Sequence, residues 1–181
     1  LRDSLLATPQ QNEVDVAVPS DPQSTGRDLA LTLGGTYIPI APAHGVARVV
    51  TMGEGSRRWT IDVKGYSGTI QEDLARRDFS INAMALPLEH WNSTIPREFI
   101  EDPFYGLQDL TGRRIRVISP RVFRDDPVRL LRAVRLAARL EFMVDSETTR
   151  LVRSESHRIS QVSGERVRDE FLALLRLDGA R

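Results

Sequence analysis

The chain has 181 residues, enough to bury a sizeable core as one large domain or two small ones. At 40% hydrophobic and 28% charged residues it has the composition of an ordinary globular protein. No apolar run approaches the ~20 residues that cross a membrane. With no cysteine there is neither a disulfide scaffold nor a Cys-based zinc site, in keeping with a cytoplasmic protein.

The neutral net charge hides an asymmetry. Residues 1–112 carry nine Lys/Arg against 15 Asp/Glu, net −6, whereas residues 113–181 carry 16 arginines against 10 acids, net +6. An acidic half beside a basic half suits a site where carboxylates hold a metal and arginines hold phosphates. A GC-rich genome is the alternative source of 24 arginines against the single Lys64. The chain begins without Met, carries no basic-apolar secretion signal, and stops just after an amphipathic helix. The expectation is a stretch cut from a longer protein at both ends.

In chain order, "NEVDVAVP" alternates carboxylate and valine and predicts a strand with one polar face. "TGRDLALTLGG" predicts a short helix ended by Gly34 and Gly35. "TYIPIAP", "GVARVVTMG" and "RRWTIDVKG" predict strands, the last two joined as a hairpin through "GEGS". "TIQEDLARRD" predicts a helix with Thr69 as N-cap and Glu72 in capping-box position. "FSINAMALPL" reads as an apolar, strand-like run, and "EDPFYGLQDLTGRRIRVIS" as turn-rich and then extended. From Pro120 the texture becomes helical only, with helices over about 126–139, 146–156 and 163–177. Sheet with helices followed by a helical run argues an α+β domain and then a helical one, with the boundary near Pro120.

Glu13 and Asp15 are two residues apart on a strand, so both carboxylates project from one face. Asp62, on another predicted strand, could complete a three-carboxylate cluster. Hard oxygen donors of this kind suit Mg²⁺, which bridges substrate phosphates. Spacing alone leaves a solvated edge strand open as the alternative. Arg76 and Arg77 end a helix and complement its dipole. Asp78 could cap the next turn. Asn82, polar within "FSINAMAL", needs a hydrogen-bond partner and either pins a loop or touches a ligand.

In "RDDPVRLLRAVRLAARL", Asp126 followed by Pro127 reads as N-cap and first helical position. Arg129, three residues on, is the simplest ion-pair partner for Asp126. Steps of three place 126, 129, 132 and 135 on one spiral polar face. A carboxylate beside a guanidinium matches the hydrogen-bonding edge of a base, and further arginines can hold a triphosphate. There is no P-loop and no G-x-G-x-x-G. His44, His90 and His157 show no ligand spacing and read as structural or surface residues.

"RRDFSINAMA", "DPFYGLQDL", "RDDPVRLLRAVRLAARLEF" and "SGERVRDEFLALL" follow one another in an order that resembles bacterial tRNA nucleotidyltransferases, the class that adds CCA, and the related poly(A) polymerases. "LRD" resembles the end of that family's G-G-x-V-R-D turn, and "EVD" sits where its D-x-D pair belongs. The resemblance implies a nucleotidyltransferase head of the DNA polymerase β superfamily over 1–119, with a small mixed sheet, and an all-helical neck over 120–181, both truncated. It implies Mg²⁺ on Glu13 and Asp15, with Asp62 as third catalytic carboxylate. It implies nucleotide contacts from Arg2, Arg77, Arg132 and Arg135, chiefly to phosphates, with Asp78 and Asn82 beside them. Asp126 and Arg129 would read the base of CTP or ATP, and Glu165 and Arg166 would buttress that helix. The implied partners are the 3′ end of tRNA or another RNA, ATP and CTP, with no membrane, and the oligomeric state is left open. The implied activity is CCA-, CC- or A-adding. A poly(A) polymerase, or a catalytically weakened nucleotide- or RNA-binding module, is the alternative.

The sequence departs from the family pattern in four places. Glu13 replaces the usual first Asp, and no arginine follows the third carboxylate in "DVKGYSG". Tyr105 stands where glycine is usual, and Leu136 where phenylalanine is.

Overall fold

The computed structural model describes residues 1–7, 12–41, 45–91 and 95–177. They form two compact units, Asp3–Asp73 and a second made of Leu1–Arg2 with Leu74–Arg181. A short helix α1 (Arg2–Leu5) opens the chain.

The first unit is built on β1 (Glu13–Val18), β2 (Thr36–Ala41), β3 (Val46–Met52) and β4 (Arg58–Gly65), in the order β1-β4-β3-β2. β1 runs parallel to β4, and the other two pairings are antiparallel. All four strands lie within the stretches that predict them. Helix α2 (Pro22–Thr32) starts earlier than the stretch from Thr25 suggests. Asp21 explains the difference, because its carboxylate accepts from the Gln23 and Ser24 amides and Pro22 takes the first helical position.

The sheet has two chemically different faces. Gly26 of α2 lies so close to Ala47 that an added Cβ would sit 2.8 Å from the Ala47 Cβ. Ala47 therefore faces the helix, and the pleat puts Val49 and Val63 on that side with it, all three fully buried. The opposite face receives Arg48, Asp62 and Asp15, side by side at one register position across β3, β4 and β1.

Helix α3 (Ile70–Leu74) carries the predicted capping box. The Glu72 amide donates to Thr69 Oγ1 at 3.2 Å, and the Thr69 amide donates to Glu72 Oε2 at 2.9 Å. The helix stops at Leu74, so Arg76 and Arg77 lie in the turn beyond it.

The second unit corrects the reading of "FSINAMALPL". It is not a strand but a 3-10 turn at Ser80–Asn82 flanked by two isolated bridges, Phe79 to Val117 and Ala85 to Glu101. Short polar side chains bond locally and into the core here. Asp78 Oδ1 accepts from the Phe79 amide, and the Ser80 hydroxyl donates to the buried Asp109 carboxylate at 2.6 Å. Helix α4 (Gly106–Thr111) follows, a helix within a stretch read as turn and extended chain. Asp102 accepts from the Gly106 and Leu107 amides and anchors its first turn. Tyr105 has φ +61°, the left-handed region where glycine is at no disadvantage. Beyond Pro120 the chain is not helical only. β6 (Met143–Val144) pairs in parallel with β5 (Arg114–Ile115).

α5 (Val122–Asp125), α6 (Arg129–Leu140), α7 (Ser146–Glu155) and α8 (Gly164–Leu175) complete the unit. Its core contains Phe79, Ile81, Ile115, Val122, Phe123, Val128 and Ala133, all essentially inaccessible. α6 begins at Arg129 rather than Asp126. The amides of Arg129, Leu130 and Leu131 bond three residues back, so 126–128 is a tight lead-in turn. Glu155, at the end of α7, accepts from both Arg124 and Arg158, which hold its pKa down from the ordinary 4.5 to about 2.

Two outcomes follow from this packing. Alanine for glycine inside a helix ordinarily stabilises by about 1 kcal/mol, but Gly26→Ala should lower stability by about 1–3 kcal/mol in urea unfolding, because the new methyl overlaps Ala47. Glu155 has a depressed folded pKa, so its contribution is complete above pH 4.5 and is lost as the pH falls towards about 2. In Glu155→Gln the urea midpoint should vary less with pH across that window than in the wild type; an unchanged acid limb would show that the clamp contributes nothing.

Candidate active site

The first unit gathers the predicted carboxylates on the open face of its sheet. The parallel register sets Asp15 directly beside Asp62 and Glu13 beside Thr60, so Glu13, Asp15 and Asp62 share one face of two adjacent strands. Arg48, across the sheet from Asp62, grips that carboxylate with two hydrogen bonds, Nε to Oδ1 at 2.7 Å and Nη2 to Oδ2 at 2.8 Å. These bonds carry the Asp62 pKa below its ordinary value, and burial opposes them only in part. Asp62 is therefore an anion at neutral pH. Lys64 Nζ donates to Asp15 Oδ1 at 2.6 Å between two well-exposed side chains. Neither Arg48 nor Lys64 is marked by the sequence pattern. Arg48 becomes visible only once the β3–β4 register is known.

The donor set fits a hard divalent cation in chemistry, being three carboxylates presented on one sheet face. As they stand, two of the three are turned onto cationic side chains. Among the described residues no three acidic or histidine groups converge as a ligand set.

The second unit assembles the predicted nucleotide contacts around α6. Asp78 is nearly buried: Oδ1 accepts from the Phe79 amide and from Asn82 Nδ2, and Oδ2 accepts from Arg132 Nη1 at 3.1 Å. Asn82 Oδ1 in turn accepts from Arg2 Nη1 at 2.6 Å. Arg2, Asn82, Asp78 and Arg132 thus form one chain of hydrogen bonds. Arg132 and Arg135 both reach Glu170 on α8, at 3.1 and 2.5 Å. Burial alone would lower the Arg132 pKa, but Asp78 and Glu170 outweigh it and leave the guanidinium more firmly charged than in water.

Asp126 is held by a two-pronged contact from Arg166 of α8, at 2.8 and 3.1 Å. Burial raises its pKa, whereas the bonds and charge of Arg166, the Val128 amide and the charge of Arg129 carry it below the ordinary value. Arg129 donates to the carbonyls of Arg76 and Arg77, at 2.9 and 3.3 Å, and its buried Nε lies 3.9 Å from Asp126 without a hydrogen bond. Arg166 thus braces the helix as expected, whereas Glu165 is exposed and lies against Arg168. Glu170, like Arg48 and Lys64, is not singled out by the sequence pattern. Its signal is its position four residues after Arg166, on the same face of α8. Val128, Arg132, Arg135, Arg166, Asp169, Glu170 and Ala173 line an open cleft of about 420 Å³. His44 lies outside the described residues, His90 stacks on Phe99 at 3.7 Å, and His157 is exposed.

Residues 1–116 match the family model described as "Poly A polymerase head domain", and residues 141–181 match "Probable RNA and SrmB- binding site of polymerase A". The CC-adding tRNA nucleotidyltransferase of Geobacter sulfurreducens is 38% identical over 180 residues, covering 99% of this chain and 40% of its own length. The A-adding tRNA nucleotidyltransferase of Deinococcus radiodurans is 37% identical over 169 residues, covering 89% of this chain and 36% of its own. A structure of the Thermotoga maritima CCA-adding enzyme complexed with tRNA superposes with a TM-score of 0.81 at 31% identity, over 99% of this chain and 42% of that one. The chain thus spans about two fifths of the length of the curated relatives it matches. With the head-domain match over most of its length, and with the small mixed sheet and helices that this match implies, the chain belongs to the poly A polymerase head-domain family of nucleotidyltransferases.

Proposed function

We propose that this chain is the nucleotide-adding part of an RNA 3′-end nucleotidyltransferase, with residues 1–119 as head and 120–181 as neck. It adds CMP, AMP or both from CTP and ATP to tRNA, with release of pyrophosphate, in the cytoplasm. One observation carries the reading: the β1–β4 register brings Asp62 onto the same open sheet face as Glu13 and Asp15, although it is far from them in sequence. The names of the relatives support the same reaction class.

In this reaction the 3′-hydroxyl of the RNA attacks the α-phosphorus of the nucleotide; a phosphodiester bond forms as the bond to pyrophosphate breaks. Glu13 and Asp15 would hold the divalent cation, with Asp62 as the third carboxylate. When bound, Mg²⁺ supplies Lewis acidity to the attacking hydroxyl and neutralises the leaving charge. Arg132 and Arg135, already oriented by Glu170 and Asp78, present donors to the triphosphate. Arg2, Arg77, Asp78 and Asn82 complete the nucleotide contacts, with Arg2 and Asn82 already bonded to each other. Asp126 supplies an acceptor and Arg129 a donor to the base edge, so protein side chains take the place of a template.

A second reading, a weakened nucleotide- or RNA-binding module, draws on Glu13 in the first ligand position and on the cations seated on Asp15 and Asp62. Labelled CTP and ATP, offered with Mg²⁺ to tRNA ending at the discriminator base, after C or after CC, separate the possibilities. Incorporation by the full-length protein supports the transferase and identifies its subtype, and no incorporation with any acceptor sinks it.

Asp15→Asn and Asp62→Asn should each lower kcat on the order of 100-fold or more, with little change in nucleotide affinity. Asp126→Ala should reduce CTP-against-ATP selectivity by roughly 10-fold, the scale of a lost bidentate side chain–base contact, while triphosphate affinity changes less. Selectivity that survived this change would remove Asp126 from the base-reading role.

A further inference from the structure

The open face of the sheet carries two cations that the nucleotide-adding roles leave unassigned. Arg48 and Lys64 differ in how they hold their carboxylates. Arg48 engages both oxygens of Asp62 with a planar fork at 2.7 and 2.8 Å, and Asp62 is only 23% exposed. Two parallel bonds from a rigid group fix orientation as well as charge. Arg48 is also close enough to feel the charges of Glu13 and Asp15. Lys64 makes one bond to one oxygen of Asp15, between side chains 41% and 69% exposed. A single ammonium on a flexible stem, at that exposure, holds its partner weakly.

Resting on the nucleotidyltransferase reading, we infer that the two cations have opposite roles towards the divalent ion. Arg48 is a positioning residue that keeps the third carboxylate in place. Lys64 is a resident stand-in that occupies Asp15 until the ion displaces it. Both follow from the register. Arg48, Asp62 and Asp15 share one row across the sheet, and Lys64 is two residues beyond Asp62 on the same face. A doubly charged ion held by Asp15 would have the advantage in charge over one ammonium on one oxygen. It cannot do without a second carboxylate held ready beside it, and the Arg48 fork leaves the remaining lone pairs of Asp62 open.

Mn²⁺, titrated into the full-length protein without nucleotide and followed by the electron paramagnetic resonance of free Mn²⁺, reads this directly and needs no turnover. Lys64→Gln should bind Mn²⁺ ~2- to 5-fold more tightly, the scale of releasing one exposed ion pair. Arg48→Gln should bind it about tenfold more weakly, as loss of a ligand-orienting partner does, and Arg48→Lys should recover only part of that loss. The two neutralising substitutions remove the same charge from the same face, so opposite signs separate these roles from a general field effect. Affinity that rises equally in both, or that does not change in Lys64→Gln, overturns the inference while the carboxylate site stands, provided Asp15→Asn abolishes binding. Wild-type binding that is absent, or indifferent to Asp15→Asn, overturns the inference together with the metal reading beneath it.

Discussion

Arg132 ties together three segments of the chain. Its guanidinium joins Asp78, in the turn after α3, to Glu170 on α8, while its own backbone belongs to α6. The carboxylates on either side are nearly buried, and each would be costly to leave without its cation. The contact therefore does more than add to stability, because it fixes where α6 lies relative to the turn and to α8. Arg135 repeats the tie to Glu170, and Arg166 returns the favour from α8 to Asp126. Asn82, Arg2 and Arg135, three of the proposed nucleotide contacts, are one or two hydrogen bonds from that tie. Arg2 reaches it through Asn82 and Asp78, and Arg129 lies one turn away on the same helix. Orientation is set before any ligand arrives, which is the condition under which donors act most strongly on a developing charge.

The sequence made the regular parts of this architecture legible, and the physical reason is periodicity. Alternation marked β1, strand-like stretches bounded by Gly and Pro marked the other three, and the Thr69–Glu72 capping box could be read from two letters. The failures fall where no period could be read. "FSINAMALPL" is apolar enough for a strand, but Asp78 accepts from the Phe79 amide and from Asn82, Ser80 donates to the buried Asp109, and the run folds into a turn. The early start of α2 was hidden because a cap is a matter of dihedral angles, which Asp21 and Pro22 satisfy outside the periodic stretch. β6 is two residues long, below the length at which any period can be seen.

The candidate site divides along the same line. Glu13 with Asp15, and Asp126 with Arg129, are local spacings and could be read directly. Arg48, Lys64 and Glu170 act across strands or helices, so their meaning depends on register and packing. Tyr105 shows the converse. Its place in a glycine position follows from the family resemblance, and the structure supplies the reason, a left-handed residue ahead of α4. Side chains pay for that conformation with strain that glycine avoids.

The two faces of the small sheet have a consequence for folding itself. Side chains alternate along a strand, so a slip of β4 by one residue against β1 would turn Asp62 and Lys64 under α2 and Val63 out to solvent. A charged pair forced against Ala47 and Val49 would prevent the helix from closing on the sheet. The same alternation that gathers the acids thus proofreads the assembly of the unit: a sheet in the wrong register cannot be covered, and a covered sheet already has its carboxylates together in the open.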